Sequence, residues 1–300
     1  MAFRALVLGY CAVVSLSTLN AQTAPTAKAS LIEADRAAGA SVFQHGLQAG
    51  IQDALAEDAV LLFEGAPLIA GRGRIGVILS AQPGLERIRV QRLPVIVAIS
   101  EDGNYGAITG ASIINRMGQP PDSAASFGHY IMVWRRAGEG TPWKIVALVE
   151  NGVLGEATFQ RPAGFETGPI PLIAGRARDL AEADLAFAKM AADSGAAVAF
   201  GNYAAQDATF PSPGDSDMSV GAAAIRVRMA TPAREQSVWT WHPVYAGATA
   251  AGDFGFTAGE ATIRASRAAD ASVYQGKYLT VWRRQADGSI RFILDSGNSR

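Results

Sequence analysis

The chain is poor in the residues that most often do chemistry alone. Its 300 residues hold one cysteine, Cys11, and three histidines, His45, His129 and His242. One cysteine excludes an internal disulfide and a multi-thiolate metal site. The histidines are too widely spaced for a zinc motif, so no metal is expected. Gly-x-Ser-x-Gly and phosphate-loop patterns are missing. Gly71-x-Gly73 opens a short helical stretch with no dinucleotide-binding unit around it, so no cofactor is expected either. Charge of one sign is also lacking: 26 basic against 27 acidic residues give a net charge of -1. That argues against a nucleic-acid partner and against a polybasic membrane patch.

What the chain has in quantity is apolar surface, at 49% hydrophobic and 18% charged residues. The N-terminus reads as a separate object. Arg4 precedes an apolar run from Ala5 to Leu19, followed by small residues with Ala21 or Ala24 as cleavage points. Residues 1–21 are therefore expected to be a signal peptide, and the protein to be exported to the periplasm or beyond. The run is shorter than the ~20 apolar residues of a membrane span, so no stable anchor is expected. Tyr10 is too bulky a neighbour for Cys11 to be a lipid-modified cysteine. Without a thiol after cleavage, two halves of ~130 residues each must hold together by core burial.

The halves repeat each other. Tyr278-Leu-Thr-Val-Trp-Arg-Arg284 echoes Tyr130-Ile-Met-Val-Trp-Arg-Arg136, and each is followed by a turn and a second apolar run. The later turn contains Asp287-Gly288, a strong hairpin signal. The runs close in Glu150-Asn-Gly152 and Asp295-Ser-Gly297, which puts Asp295 in the place of Glu150. Glu182-Ala-Asp184 likewise repeats Glu33-Ala-Asp35, and Pro243 repeats Pro94. Residues 22–30 read as a flexible lead-in, 31–152 as a first domain, 153–175 as a linker carrying Pro162, Pro169 and Pro171, and 176–300 as a second domain. Within the first copy, a helix is expected from about Leu31 and another over Leu47 to Leu55. Strands over Ala59 to Phe63 and Ala66 to Ala70, a short helix from Gly71 to Leu79, and four long strands follow. Helices first and strands later predict an α+β fold: tandem cone-shaped domains, each with N-terminal helices packed in a curved antiparallel sheet.

At this level the chain resembles the nuclear transport factor 2-like (SnoaL-like) superfamily, in an exported branch. The resemblance is carried by Glu182-Ala-Asp-Leu-Ala-Phe187, Trp241-His-Pro243, Gly252-Asp-Phe-Gly-Phe-Thr-Ala-Gly259, Tyr278 to Arg284 and Leu294-Asp-Ser-Gly297. The first copy is more diverged, with Arg92 and Leu93 where Trp241 and His242 stand. The superfamily includes isomerases, dehydratases, cyclases and non-catalytic binding modules, so the resemblance implies a fold and leaves the activity open. It also implies pairing through sheets, within one chain or as a homodimer.

Candidate site residues follow from spacing. Leu180, Asp184, Phe187 and Ala191 share one helical face, and so do Leu31, Asp35, Ala38 and Val42. An acid on an apolar face is either a cavity acid with a raised pKa or a hydrogen-bonded core acid tying helix to sheet. Asp295 and Glu150 close strands, where they either meet the helix acids at a cone mouth or cap the strand. Lys277 and His129 precede the shared tyrosine. If their strand face is concave, Asp184, Asp295 and Lys277 line one cavity and Asp35, Glu150 and His129 the other. If the opposite face is concave, Tyr278 and Tyr130 are the donors. Trp239, Trp241 and Tyr245 alternate on one face, with His242 on the other, and Glu260 follows Phe256 and Ala258. Two functions remain open. One is binding of a small apolar or carbonyl-containing molecule in a cone cavity. The other is an isomerase, dehydratase or cyclase using a cavity carboxylate as general base.

Overall fold

A computed structural model describes residues 26–118, 125–152, 160, 162, 175–211 and 218–300. The expected signal peptide and nearly all of the linker lie outside these residues. No described helix is long and apolar enough to cross a membrane.

The first half runs α1 (Ala27–Ile51), β1 (Leu55–Phe63), β2 (Ile69–Ala70), α2 (Arg72–Ser80), β3 (Ile88–Ile99), β4 (Tyr105–Arg116), β5 (Ser126–Arg135) and β6 (Lys144–Glu150). The second runs α3 (Ala177–Ser194), α4 (Ala196–Tyr203), β7 (Ala204–Phe210), β8 (Ser219–Val220), α5 (Ala222–Met229), α6 (Pro232–Gln236), β9 (Val238–Ala248), β10 (Phe254–Arg264), β11 (Val273–Arg284) and β12 (Ile290–Ser299). The two expected helices of the first half are both present, and they abut at a break within α1. Thr26 caps α1, its side chain accepting from the Ala29 amide, so the helix starts earlier than Leu31. The break is at Gly46, whose ψ of 164° is not helical and whose φ of 83° only glycine adopts freely.

Each half builds a six-stranded sheet, in the orders β2-β1-β6-β5-β4-β3 and β8-β7-β12-β11-β10-β9. The α+β architecture is as expected, with one refinement. The β1–β6 and β7–β12 pairs are parallel, so each sheet is mixed. The cause is topological. The crossover through α2 or α5 carries the chain to the far edge, and the four-strand meander returns it beside the first strand in that strand's own direction. Helix α1 packs on β3 at one sheet edge while α2 packs on β1 near the other, and the sheet curls around them.

Register corrects the alignment of the two copies. Tyr130 lies opposite Glu150, but Tyr278 lies opposite Gly297. Glu150 therefore corresponds to Gly297. Asp295, opposite Thr280, corresponds to Leu148, opposite Met132. The look-alike acid-x-Gly endings are offset by two positions. A second correction concerns β9. A bulge skips Val244, with Ala258 opposite Tyr245 and Gly259 opposite Pro243, so Tyr245 leaves the face of Trp239 and Trp241.

Candidate functional site

The inner face of each sheet is the tyrosine face. Tyr278 on β11 donates its hydroxyl to Asp184 on α3 at 2.7 Å, which fixes that side of the strand against the helix. Lys277, one residue earlier, points the other way. Its ammonium donates to the Ser299 carbonyl, and burial lowers its pKa to about 7, with Glu64 of the first half opposing the shift. Lys277 therefore does not join Asp184, although it borders the same cavity as Asp295. His129 also faces outward from its own domain. Its Nε2 lies 3.0 Å from Ser296 Oγ and 2.8 Å from Asn151 Nδ2, and burial lowers its pKa to about 4. Strand alternation thus separates Lys277 and His129 from the helix acids Asp184 and Asp35, while Lys277 still borders a cavity with Asp295 and His129 feels the charge of Glu150.

Asp184 is fully buried and well supplied with donors. Trp241 Nε1 donates to Oδ1 at 2.8 Å and Tyr278 to Oδ2, with a further hydrogen bond from Thr257. Burial raises its pKa to about 6, and these donors oppose the rise. The arrangement ties α3 to β9 and β11, and Asp184 is not among the residues that line the aromatic cavity of its domain.

Asp295 is one of them. A cavity of about 220 Å³ opens in the second domain, walled by Phe187, Phe200, Phe210, Met229, Trp239 and Trp241, with Asp295 among its polar contributors. Thr280, directly across the strand pair, donates to Asp295 Oδ2 at 2.5 Å. Burial lifts the Asp295 carboxyl to about 7; the Thr280 bond opposes this and the charge of Asp184 adds to it. The aromatic wall is itself packed: Phe187 meets Trp241 edge-on at 4.7 Å and Phe200 at 4.8 Å. Trp239 anchors its indole N–H on Ser237 at 2.7 Å. His242 is exposed on the opposite face of β9. Glu260 pairs with Arg300 at 3.0 Å, so neither residue is brought to Asp295.

The first domain is built differently inside. Glu150 is held by Arg92 through two bonds, Nη2 to Oε2 at 2.6 Å and Nε to Oε1 at 3.2 Å, and Ser112 donates to Oε1 at 2.8 Å. Aliphatic side chains including Leu47, Ile51, Leu61 and Leu148 leave an interior void of only about 10 Å³. Asp35 is buried with Tyr130 as a long 3.5 Å donor. Burial raises its pKa to about 6, which Arg92 opposes and Glu150 reinforces.

Comparison with known proteins places these geometries beside several solved folds. The chain is similar to a nuclear transport factor 2-like protein with a cystatin-like fold from Novosphingobium aromaticivorans. Identity is 18%, covering 41% of this chain and 81% of that one, at a TM-score of 0.34. A ketosteroid isomerase-like protein from Erwinia carotovora atroseptica matches at 12% identity, covering 41% and 93%, with a TM-score of 0.34. A nuclear transport factor 2-like protein from Cytophaga hutchinsonii matches at 12% identity, covering 41% and 95%, with a TM-score of 0.31. No family model and no curated protein matches the chain.

Sequence reasoning missed three partners that shape the site. Thr280 was unremarkable as a strand threonine, Thr257 sits in a glycine-rich strand, and Arg92 stood out only as a missing tryptophan. Strand pairing would have exposed the two threonines, since Thr280 lies across from Asp295 and Thr257 across from Thr280, whereas Arg92 reaches Glu150 over two intervening strands. Among the described residues, no cluster of three His, Cys, Asp or Glu side chains is placed to hold a metal ion.

Proposed function

We propose that the second domain binds a small, largely apolar molecule bearing a carbonyl group, held in the aromatic cavity with its oxygen at Asp295. The observation that carries this reading is the position of Asp295, a buried carboxyl with a pKa of about 7 on the wall of a cavity lined mainly by aromatic side chains, with Arg234, Lys277, Ser296 and Asn298 as its other polar residues. A carboxyl that keeps its proton near neutrality can donate to a ligand oxygen, and dry aromatic walls strengthen that bond. Ligand pockets commonly combine apolar walls with very few polar groups. Titration of the protein with an apolar fluorescent probe tests it. Saturable binding that is weakened by Asp295→Leu supports the proposal, and non-saturable partitioning overturns it.

The same carboxyl favours a second reading, proton transfer next to a carbonyl, because a general base works best with a pKa near the operating pH. Here Asp295 is the base and Thr280 orients it. Deuterium uptake from heavy water at the carbon beside the carbonyl of a bound ketone, read by NMR and abolished in Asp295→Asn, is the expected signature. Binding without exchange leaves the protein as a binding module.

We further propose that the two domains pair within one chain, in an exported protein. Asn298 Nδ2 donates to the Leu62 carbonyl at 3.0 Å and to Asn151 Oδ1 at 2.9 Å, and Asn151 Nδ2 reaches the Gly297 carbonyl at 3.2 Å. Asn151 and Asn298 are equivalent positions, so these bonds suit a pseudo-twofold arrangement.

A further inference from the structure

A groove of about 470 Å³ runs between α1 and the edge strand β3 of the first domain, bordered by Asp35, Gly39, Phe43, Gln44, Gln91 and Arg92. It is distinct from the aromatic cavity of the second domain. Two of its polar atoms are buried with no hydrogen-bond partner, Asp35 Oδ1 and Arg92 Nη1. Asp35 is 4% exposed, and the Arg92 side chain 2%. Leaving such atoms unpaired is costly, and native proteins seldom do so without a ligand or ordered water in reach.

The other domain shows what has changed. At the equivalent positions Trp241 donates to Asp184, and the tyrosine bond measures 2.7 Å instead of 3.5 Å. Replacing the indole by Arg92 turned the donor toward Glu150 and left one oxygen of the helix acid open. The groove is also kept clear. A Cβ at Gly39 would meet nothing within 4 Å, and Phe43 stands 53% exposed beside it.

The chemistry of the two orphan atoms selects the ligand. One accepts and the other donates, so the entering group must do both. Arg92 is already neutralised by Glu150, so a carboxylate would meet the charge of Asp35 uncompensated. An ammonium would suit Asp35 but offers Arg92 no acceptor. A primary carboxamide satisfies both in one planar group. We infer that this groove is a second ligand site, for a neutral molecule carrying a primary carboxamide whose N–H donates to Asp35 Oδ1 and whose carbonyl accepts from Arg92 Nη1. The rest of the molecule lies along Gly39 and Phe43.

Benzamide is the probe, with benzoate and benzylamine beside it, each titrated into the full chain and followed by ligand-observed NMR. Saturable benzamide binding is expected, tighter than that of either charged analogue. Gly39→Leu places a side chain in the groove, from a position where a Cβ meets nothing within 4 Å, and should abolish binding without lowering the melting temperature. Asp35→Ala removes the acceptor and should weaken it about tenfold, the loss of one good hydrogen bond. Three results each overturn the site: no saturable benzamide binding, equal or tighter binding of benzylamine or benzoate, or benzamide affinity that survives Gly39→Leu. Benzamide binding lost in Asp295→Leu would assign it to the second domain and overturn the site as well. The apolar probe of the second domain is read separately and stands or falls independently of Gly39.

Discussion

Thr280 and Asp295 face each other across β11 and β12 with 2.5 Å between hydroxyl and carboxylate, and in the first domain the same two positions are Met132 and Leu148. One repeat thus carries a buried hydrogen-bonded acid where the other carries an apolar pair. Well-packed apolar replacements of buried polar groups are often stabilising, so an acid kept there is best explained by what the cavity binds.

The first prediction transplants the apolar pair. Thr280→Met with Asp295→Leu should raise stability by about 1–3 kcal/mol in urea denaturation while removing saturable binding of the apolar probe. Asp295→Leu alone strands the Thr280 hydroxyl and should gain less. A double variant that is less stable than the wild type would mean that the pair is structural.

The second prediction is a pH dependence. The Asp295 pKa rises from 3.8 to about 7 on folding, so between those values the folded state holds more protons than the unfolded state. Its contribution is fully present below pH 3.8 and is lost as pH rises through about 7. Asp184, at about 6, acts with the same sign. His129, lowered from 6.5 to about 4, acts with the opposite sign between those values. The wild-type curve alone therefore mixes the two. The difference between wild type and Asp295→Asn should isolate the acid: relative to the variant, the wild type loses stability steadily from pH 4 to 7 in thermal melts. A flat difference would place the Asp295 pKa near its ordinary value.

Much of the fold was legible because the repeat supplied two samples of one pattern. Tyr-x-x-x-Trp-Arg-Arg located β5 and β11, and helical spacing put Asp35 and Asp184 on inward faces. Site chemistry was less legible because it depends on register and on which sheet face is concave. Both copies bulge at the same point, after Val133 and after Val281, so their pairing runs in step to Tyr130–Glu150 and Tyr278–Gly297, and the acid-x-Gly endings that match by residue type fall two positions apart. Asp295 therefore looked like the twin of Glu150 when its true counterpart is Leu148. Lys277 and Tyr278, one residue apart, could not be assigned to inside or outside until Tyr278 was seen to meet Asp184.

The third prediction concerns Arg92 and Glu150, whose side chains are 2% and 5% exposed. Arg92→Ala leaves a carboxylate in the core and should cost about 3–5 kcal/mol. Arg92→Met with Glu150→Leu removes both charges at similar volume and should recover most of that loss, since the penalty of the single variant is the stranded charge. Urea midpoints of the two variants decide it. A double variant as unstable as the single one would show that the pair contributes net attraction beyond its desolvation cost.

The last prediction separates domain pairing within a chain from pairing between chains. Asn298 gives hydrogen bonds to Leu62 and Asn151 of the first domain, and the Gly65 amide reaches the Ser299 carbonyl at 3.2 Å. If these contacts are made within one chain, sedimentation should give the monomer mass at every concentration. Asn298→Leu should then leave the Leu62 carbonyl and the Asn151 amide oxygen short of donors, at a cost of about 1–3 kcal/mol for the buried groups. Because the lost bonds join the domains, the cost should fall on their coupling. Thermal unfolding of the variant should broaden or split into two transitions, whereas substitution inside one domain shifts that domain's transition alone. A wild-type mass that doubles with concentration, together with a single sharp transition in Asn298→Leu, would assign the sheet-to-sheet contact to two chains instead.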